Sequence, residues 1–221
     1  MKQLPDFNAV IFDMDGLVLD TETTYFSAWQ QAADTLGYTI SDAFCAQVSG
    51  MPFSHIEQQL TQYLGVNFPL SEFYRLSSIY WRAGVESDGI DVKTGVYDVL
   101  QVLDALSIKY CLATNSPETN ARECLQYAGI ANLFPTIVSR DHVPSPKPAA
   151  DIFLRAANVL EQPIAACLVV EDSLIGLLAA KNANAFSVLV PSMPDMDGKM
   201  QALAGLVLND LSELAKLLQE K

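Results

Sequence analysis

The sequence predicts an α/β protein: a Rossmann-like, doubly wound parallel sheet core with an inserted all-helical cap domain. Three observations carry that prediction. Short apolar runs alternate with helical patterns along most of the chain, which is the signature of a parallel sheet covered by helices. The runs are brief and β-branched, as strands buried on both faces are. The alternation breaks once, after the first run, where residues 20–90 show helical periods and no convincing strand.

The first strand is expected at "NAVIF" (8–12). Then come three helical patterns, "TTYFSAWQQAADTLG", "SHIEQQLTQYLG" and "SEFYRLSSIYWRAG", each closing on a glycine as helices often do. They form a predicted cap over 20–90, leaving a core of 1–19 and 91–221. In the core, strands are expected at "KYCLA" (109–113), "TIV" (136–138), "CLVV" (167–170), "SVLV" (187–190) and "LVL" (206–208). Helices are expected between them at 96–107, 117–128, 149–160 and 174–183. A chain of 221 residues suits one sizeable core plus a small satellite domain.

The net charge is −13 and no Lys/Arg cluster is present, so a nucleic-acid partner is not expected. No apolar run approaches the roughly 20 residues of a membrane span, and the N-terminus does not read as a signal peptide. A cytoplasmic address and a monomer are the expectations. Cys45, Cys111, Cys124 and Cys167 show no CxxC pairing and read as buried, reduced thiols.

Ligands of open α/β sheets bind beyond the carboxyl ends of the strands. The residues there are Asp13 and Asp15 after the first run, Thr114, Asn115 and Ser116 after the second, and Glu171, Asp172 and Ser173 after "CLVV". The loop after "TIV" leads to Lys147, which stands between prolines in "SPKP". Three acids at the end of one buried stretch, "FDMDGLVLD", are costly to desolvate and call for a cation. Asp13, Asp15 and Asp172 make an all-oxygen site that suits Mg²⁺. Thr114 and the backbone N–H groups of Asn115 and Ser116 can hold phosphate oxygens. Lys147 can neutralise charge on a nucleophile and a phosphate. The set fits phosphoryl transfer. These residues alone leave Asp13 open as a metal ligand beside an attacking water or as the nucleophile itself. Asp15, two residues on, suits a general acid and base.

"DMDGLVLDTE", "LATNS", "PKPAADIF" and "VVEDSLIG" occur in this order and resemble the four motifs of the haloacid dehalogenase superfamily. The resemblance is strongest to its capped phosphatase and β-phosphoglucomutase branch, with "GVYDVLQVL" (95–103) matching the return from cap to core. It implies Asp13 as nucleophile and Mg²⁺ ligand. Asp15 would bind the metal through its carbonyl and act as general acid and base. Thr114, Asn115 and Lys147 would hold the phosphoryl group, and Gly16 would permit the turn after the nucleophile. Asp172 would ligate the metal, and Glu171 directly or through water. The inserted helices would close over the substrate and exclude water.

Asp15 favours phosphate ester chemistry, since similar dehalogenases and phosphonatases lack this second acid. The expected substrate is a small phosphorylated metabolite, with a phosphosugar mutase as the alternative. Against the mutase, Tyr25 stands where β-phosphoglucomutases have a histidine, and Met51, Pro52 and Phe53 stand near their cap arginine. Tyr25 and Trp29, four apart, read as cap core or as a substrate wall. His55 reads as a helix-start or surface residue, and Arg75 and Arg82 as solvated. Pro146 replaces the glycine usual before the third-motif lysine.

Overall fold

A computed structural model describes residues 4–49, 53–193, 195 and 198–220. Met51 and Pro52 lie outside the described residues. The chain divides into two compact units, Met1–Asp20 with Asp91–Lys221, and Thr21–Ile90.

The first unit is built on six parallel strands: β1 (Ala9–Phe12), β2 (Lys109–Thr114), β3 (Ile137–Ser139), β4 (Cys167–Glu171), β5 (Phe186–Leu189) and β6 (Leu206–Val207). Their order is β3-β2-β1-β4-β5-β6. The first strand made is therefore central, with Ile11 opposite Cys111 on one side and Val169 on the other. All four residues of β1 are buried, because helices cover both faces of the sheet. Pairing with β4 runs one residue past the strand, where the Asp13 N–H donates to the Val170 carbonyl at 3.0 Å. Strands β2 and β3 are added on one side of β1 and β4 to β6 on the other, so the switch point of the sheet lies between β1 and β4, where Asp13 and Asp172 emerge.

The helices of this unit bury the faces their apolar periods predict. One layer sets Ile152, Phe153, Ala156 and Ala157 against Ile11, Cys111 and Val169. Full burial of each large side chain stabilises by roughly 1.5–3 kcal/mol. Asp210 caps the last helix, Leu211–Gln219, by accepting from the N–H groups of Ser212 and Glu213. That helix packs on Val96–Ala105, and an ideal Cβ on Gly95 would stand 2.0 Å from the Ser212 nitrogen. Gly95 also has φ +85°, so two constraints require glycine there. All four cysteines are buried, and none is in a disulfide.

The second unit has four helices among its described residues: α1 (Thr21–Thr35), α2 (Asp42–Val48), α3 (Phe53–Leu64) and α4 (Leu70–Asp88). Its core gathers Trp29, Ala32, Phe44, Leu60, Phe68 and Phe73. Gly37 and Gly65, both at positive φ, follow α1 and α3 as the sequence predicts. The third predicted helix does not close at Gly84. It runs on to Asp88, and Gly89 at φ +76° follows it. The cause is the buried row Phe73, Ser77, Trp81 and Val85, which repeats every four residues and carries the helix through Gly84. The sequence reading also passes over α2, whose seven residues are too few for a periodic signal.

Trp29 joins the core, packed against Phe26 and Phe73. Tyr25 instead stacks on Trp81 at 5.4 Å between ring centroids, and Trp81 Nε1 donates to Thr24 Oγ1. His55 is exposed on α3, and Arg75 forms an exposed pair with Glu72. No helix among the described residues is long and apolar enough to cross a membrane.

Candidate active site

Every predicted site residue of the core unit follows or ends a strand at one edge of the sheet, except Lys147, which stands in the loop between β3 and the helix Asp151–Val159. Asp13 follows β1, Thr114 ends β2, and Glu171 ends β4 with Asp172 next. Parallel pairing puts these carboxyl ends together. Asp13, Thr114, Lys147, Glu171 and Asp172 are all buried, and Asp15, Asn115 and Ser116 are half-buried.

The turn after β1 is tight. Val18 and Leu19 both donate to the Met14 carbonyl, and Gly16 donates to the Leu19 carbonyl. Gly16 has φ +82°, and a Cβ there would lie 2.2 Å from Asp172 Oδ2. The glycine thus serves both the turn and the close approach of the acid from β4. The turn sends Met14 into the core and holds Asp13 and Asp15 at the edge.

Asp15 is held by the end of β2. Its Oδ2 accepts from Thr114 Oγ1 at 3.0 Å and from Ser116 Oγ at 2.8 Å. The Ser116 N–H donates to Thr114 Oγ1 at 2.9 Å, which leaves that hydroxyl's own proton for Asp15.

Lys147 is the positive centre. Its Nζ donates to Asp13 Oδ1, to Glu171 Oε1 at 2.5 Å, and lies 4.9 Å from the centre of the Phe153 ring. Burial alone pulls the ammonium down, but the charges and hydrogen bonds of Asp13 and Glu171 outweigh it and hold its pKa above the ordinary lysine value. Lys147 is buried between exposed Pro146 and Pro148, so the loop drives one side chain inward.

Glu171 is fully buried and fully bonded. Oε2 accepts from the Asp172 N–H at 3.1 Å, the Ser173 N–H at 3.2 Å and Ser173 Oγ at 3.0 Å. Ser173 also caps the helix Leu174–Asn182 by accepting from the Gly176 N–H. With Oε1 on Lys147, this acid fixes the lysine as much as it faces the site.

The carboxylate oxygens of Asp13, Glu171 and Asp172 lie within 4.8 Å of one another. Burial pushes the Asp13 carboxyl well above its usual range; Lys147 pulls it back in part, while Glu171 and Asp15 push it further. Four acids against one lysine leave a deficit of positive charge in a buried place. A hard divalent cation on these oxygens fits both the donor set and that deficit.

Sequence reasoning missed three contacts. The Asn115 side chain bonds the Lys147 backbone, the Ser116 hydroxyl bonds Asp15, and Gly176 leaves room for Glu171. No local spacing in the sequence signals the last, because it depends on how Glu171 and the helix Leu174–Asn182 pack.

The parallel α/β core, its strand order and the acids at its switch point define a family of hydrolases. A family model described as haloacid dehalogenase-like hydrolase matches residues 10–190, and the chain belongs to that family. It is 30% identical to a phosphorylated carbohydrates phosphatase of Thermotoga maritima, over 90% of this chain and 92% of that one. It is 29% identical to a β-phosphoglucomutase of Bacillus subtilis, over 96% and 94% of the two chains. A solved HAD family hydrolase from Deinococcus radiodurans, with bound phosphate and sodium, is similar at a TM-score of 0.79 and 25% identity, over 96% and 97% of the chains.

Proposed function

We propose that this phosphoric monoester hydrolase releases inorganic phosphate from a small phosphorylated metabolite, a sugar phosphate or a related compound, through an aspartyl-phosphate on Asp13. The observation that carries it is the bonding of Lys147 to both Asp13 and Glu171 beside the carboxylate of Asp172, with Asp15 held at the same edge.

An Asp13 carboxylate oxygen attacks phosphorus, and the bond from phosphorus to the ester oxygen breaks. Asp15, protonated at that stage, gives its proton to the departing alkoxide. As a carboxylate it then takes a proton from water, whose oxygen attacks phosphorus and frees Asp13 and inorganic phosphate. Thr114, the Asn115 N–H and Lys147 hold the phosphoryl oxygens. Lys147 also fixes the Asp13 carboxylate, and Glu171 fixes Lys147. Asp13, Asp172 and the Asp15 carbonyl are the Mg²⁺ ligands in this proposal, with Glu171 acting through the lysine or a water. Mg²⁺ supplies positive charge where negative charge gathers on the phosphoryl oxygens.

Likeness to phosphatases along nearly the whole chain supports the hydrolase, and Tyr25 in place of the mutase histidine weighs against isomerisation. The β-phosphoglucomutase relative supports a second reading, a phosphosugar mutase sharing the first half-reaction. The buried cysteines, none in a disulfide, support a reducing, cytoplasmic setting, and the acidic charge supports a small-molecule rather than a nucleic-acid partner.

The test is free phosphate released from sugar phosphates, nucleotides and p-nitrophenyl phosphate, with Mg²⁺ or EDTA, beside Asp13→Asn. Mg²⁺-dependent release lost in a folded variant is expected. Isomerised hexose phosphate without free phosphate moves the assignment to the mutase, and full activity in Asp13→Asn removes the aspartyl-phosphate.

A further inference from the structure

We infer that the side chain of Asn115 is a positioning residue for Lys147: its amide locks the lysine's backbone so that the ammonium reaches Asp13 and Glu171. The inference rests on the catalytic role proposed above for Lys147. It is separate from the backbone N–H of Asn115, which is assigned to phosphate.

The geometry is a two-point clasp. Asn115 Oδ1 accepts from the Lys147 N–H at 2.8 Å, and Asn115 Nδ2 donates to the Lys147 carbonyl at 3.2 Å. Both backbone polar groups of one residue are thus bonded to one side chain 32 positions away. The amide of asparagine supplies a donor and an acceptor a fixed distance apart, which neither aspartate nor serine does.

The loop needs an outside anchor there. Proline has no N–H, so Lys147 supplies the one backbone donor of the run Pro146-Lys147-Pro148. Pro146 and Pro148 are exposed and Lys147 is buried, so little apolar packing at the flanking positions holds the lysine inward. The next anchor along the chain is again an asparagine, Asn182, whose Nδ2 donates to the Pro148 carbonyl at 2.8 Å. That bond holds the loop one residue further on and leaves the Lys147 N–H to Asn115 alone.

A side-chain ammonium at the end of four methylenes inherits any displacement of its own backbone. Lys147 must meet two carboxylates at once, which demands a narrower placement than a single ion pair. Asn115 also directly follows Thr114, which holds Asp15. The clasp therefore ties the loop that carries the lysine to the end of β2, which holds the general acid in place. Misplacement of reacting groups by about 1 Å costs on the order of 100-fold in rate.

The test has two readouts. In protein labelled with ¹⁵N-lysine, the Lys147 amide is identified by its absence in Lys147→Met, and its hydrogen exchange is measured in wild type and Asn115→Ala. Faster exchange of that amide in a variant whose other lysine amides are unchanged is expected. Unchanged exchange overturns the clasp, whatever the activity. Turnover of p-nitrophenyl phosphate is then followed in a double-mutant cycle. Asn115→Ala is expected to lower kcat about 100-fold, and to add nothing in the Lys147→Met background. Faster exchange with unchanged kcat, or equal losses in both backgrounds, overturns the positioning role. A wild type without phosphatase activity would refute the proposed function and leave the exchange result standing by itself.

Discussion

Gly176→Ala should destabilise the protein even though it replaces glycine by alanine inside a helix. A Cβ built on Gly176 would stand 1.8 Å from Glu171 Cδ, 1.9 Å from Oε1 and 2.1 Å from Oε2. Carbon and oxygen need about 3.5 Å of separation, so the carboxylate has to move by well over 1 Å. Glu171 has no exposed surface and therefore no route to water. Its displacement breaks the bond to Lys147 and three bonds to Oε2. Breaking a buried pair costs roughly 3–5 kcal/mol. The helix gains about 1 kcal/mol on losing a glycine, which leaves a net loss of roughly 2–4 kcal/mol. For a chain of this size that is a fall in Tm of roughly 4–16 °C.

Scanning calorimetry measures it, with Gly84→Ala as the control. Gly84 lies within α4 and has open space where its Cβ would go. The same substitution there should raise stability by up to about 1 kcal/mol. Opposite signs at the two positions are expected, with turnover lost only at 176. A Gly176→Ala protein that melts at or above wild type would refute the packing of Glu171 against this helix.

Three further outcomes follow from the site and the core. Asp15→Asn should slow alkyl phosphates more than p-nitrophenyl phosphate, whose leaving group needs no proton; equal losses in steady-state rates would remove Asp15 as the acid. Removing divalent metal with EDTA should abolish phosphate release, and Mg²⁺ should restore it; full activity in metal-free buffer would mean that Lys147 alone meets the charge deficit. Burial pushes the Cys111 thiol up from 9.0 to about 12. The unfolded chain then loses this proton first as pH rises. Stability should be flat in this respect below pH 9 and fall above it, by about 1.4 kcal/mol at pH 10 from this thiol. Melting curves of wild type and Cys111→Ala between pH 8 and 10 check the sign, since the variant should lose less.

The core and its edge were legible because each strand is a short apolar run stopped by polar residues. Asp13, Thr114 and Glu171 could be placed beyond or at strand ends from that punctuation alone, and parallel pairing then brings them together. What stayed hidden has a common physical cause: it depends on contacts between residues far apart in sequence. The clasp of Asn115 on Lys147 and the space beside Gly176 have no local signature. The helix Asp42–Val48 is too short to show a period, and the C-terminal helix Leu211–Gln219 was passed over though Asp210 caps it. Gly84 misled for a tertiary reason, since burial of Trp81 and Val85 on one face outweighs the cost of a glycine in the helix.

The central position of β1 has a consequence for synthesis on the ribosome. The strand emerges first, yet Ile11 meets its partner Cys111 a hundred residues later, and Val169 later still. At roughly 5–20 residues per second, "AVIF" waits at least about 5–20 s without either neighbour. The segment Thr21–Ile90 emerges in that interval with a hydrophobic cluster of its own. The second unit is therefore free to condense while the first, wholly apolar strand of the sheet still trails unpaired. During that interval "AVIF" is the stretch of the nascent chain most in need of a chaperone.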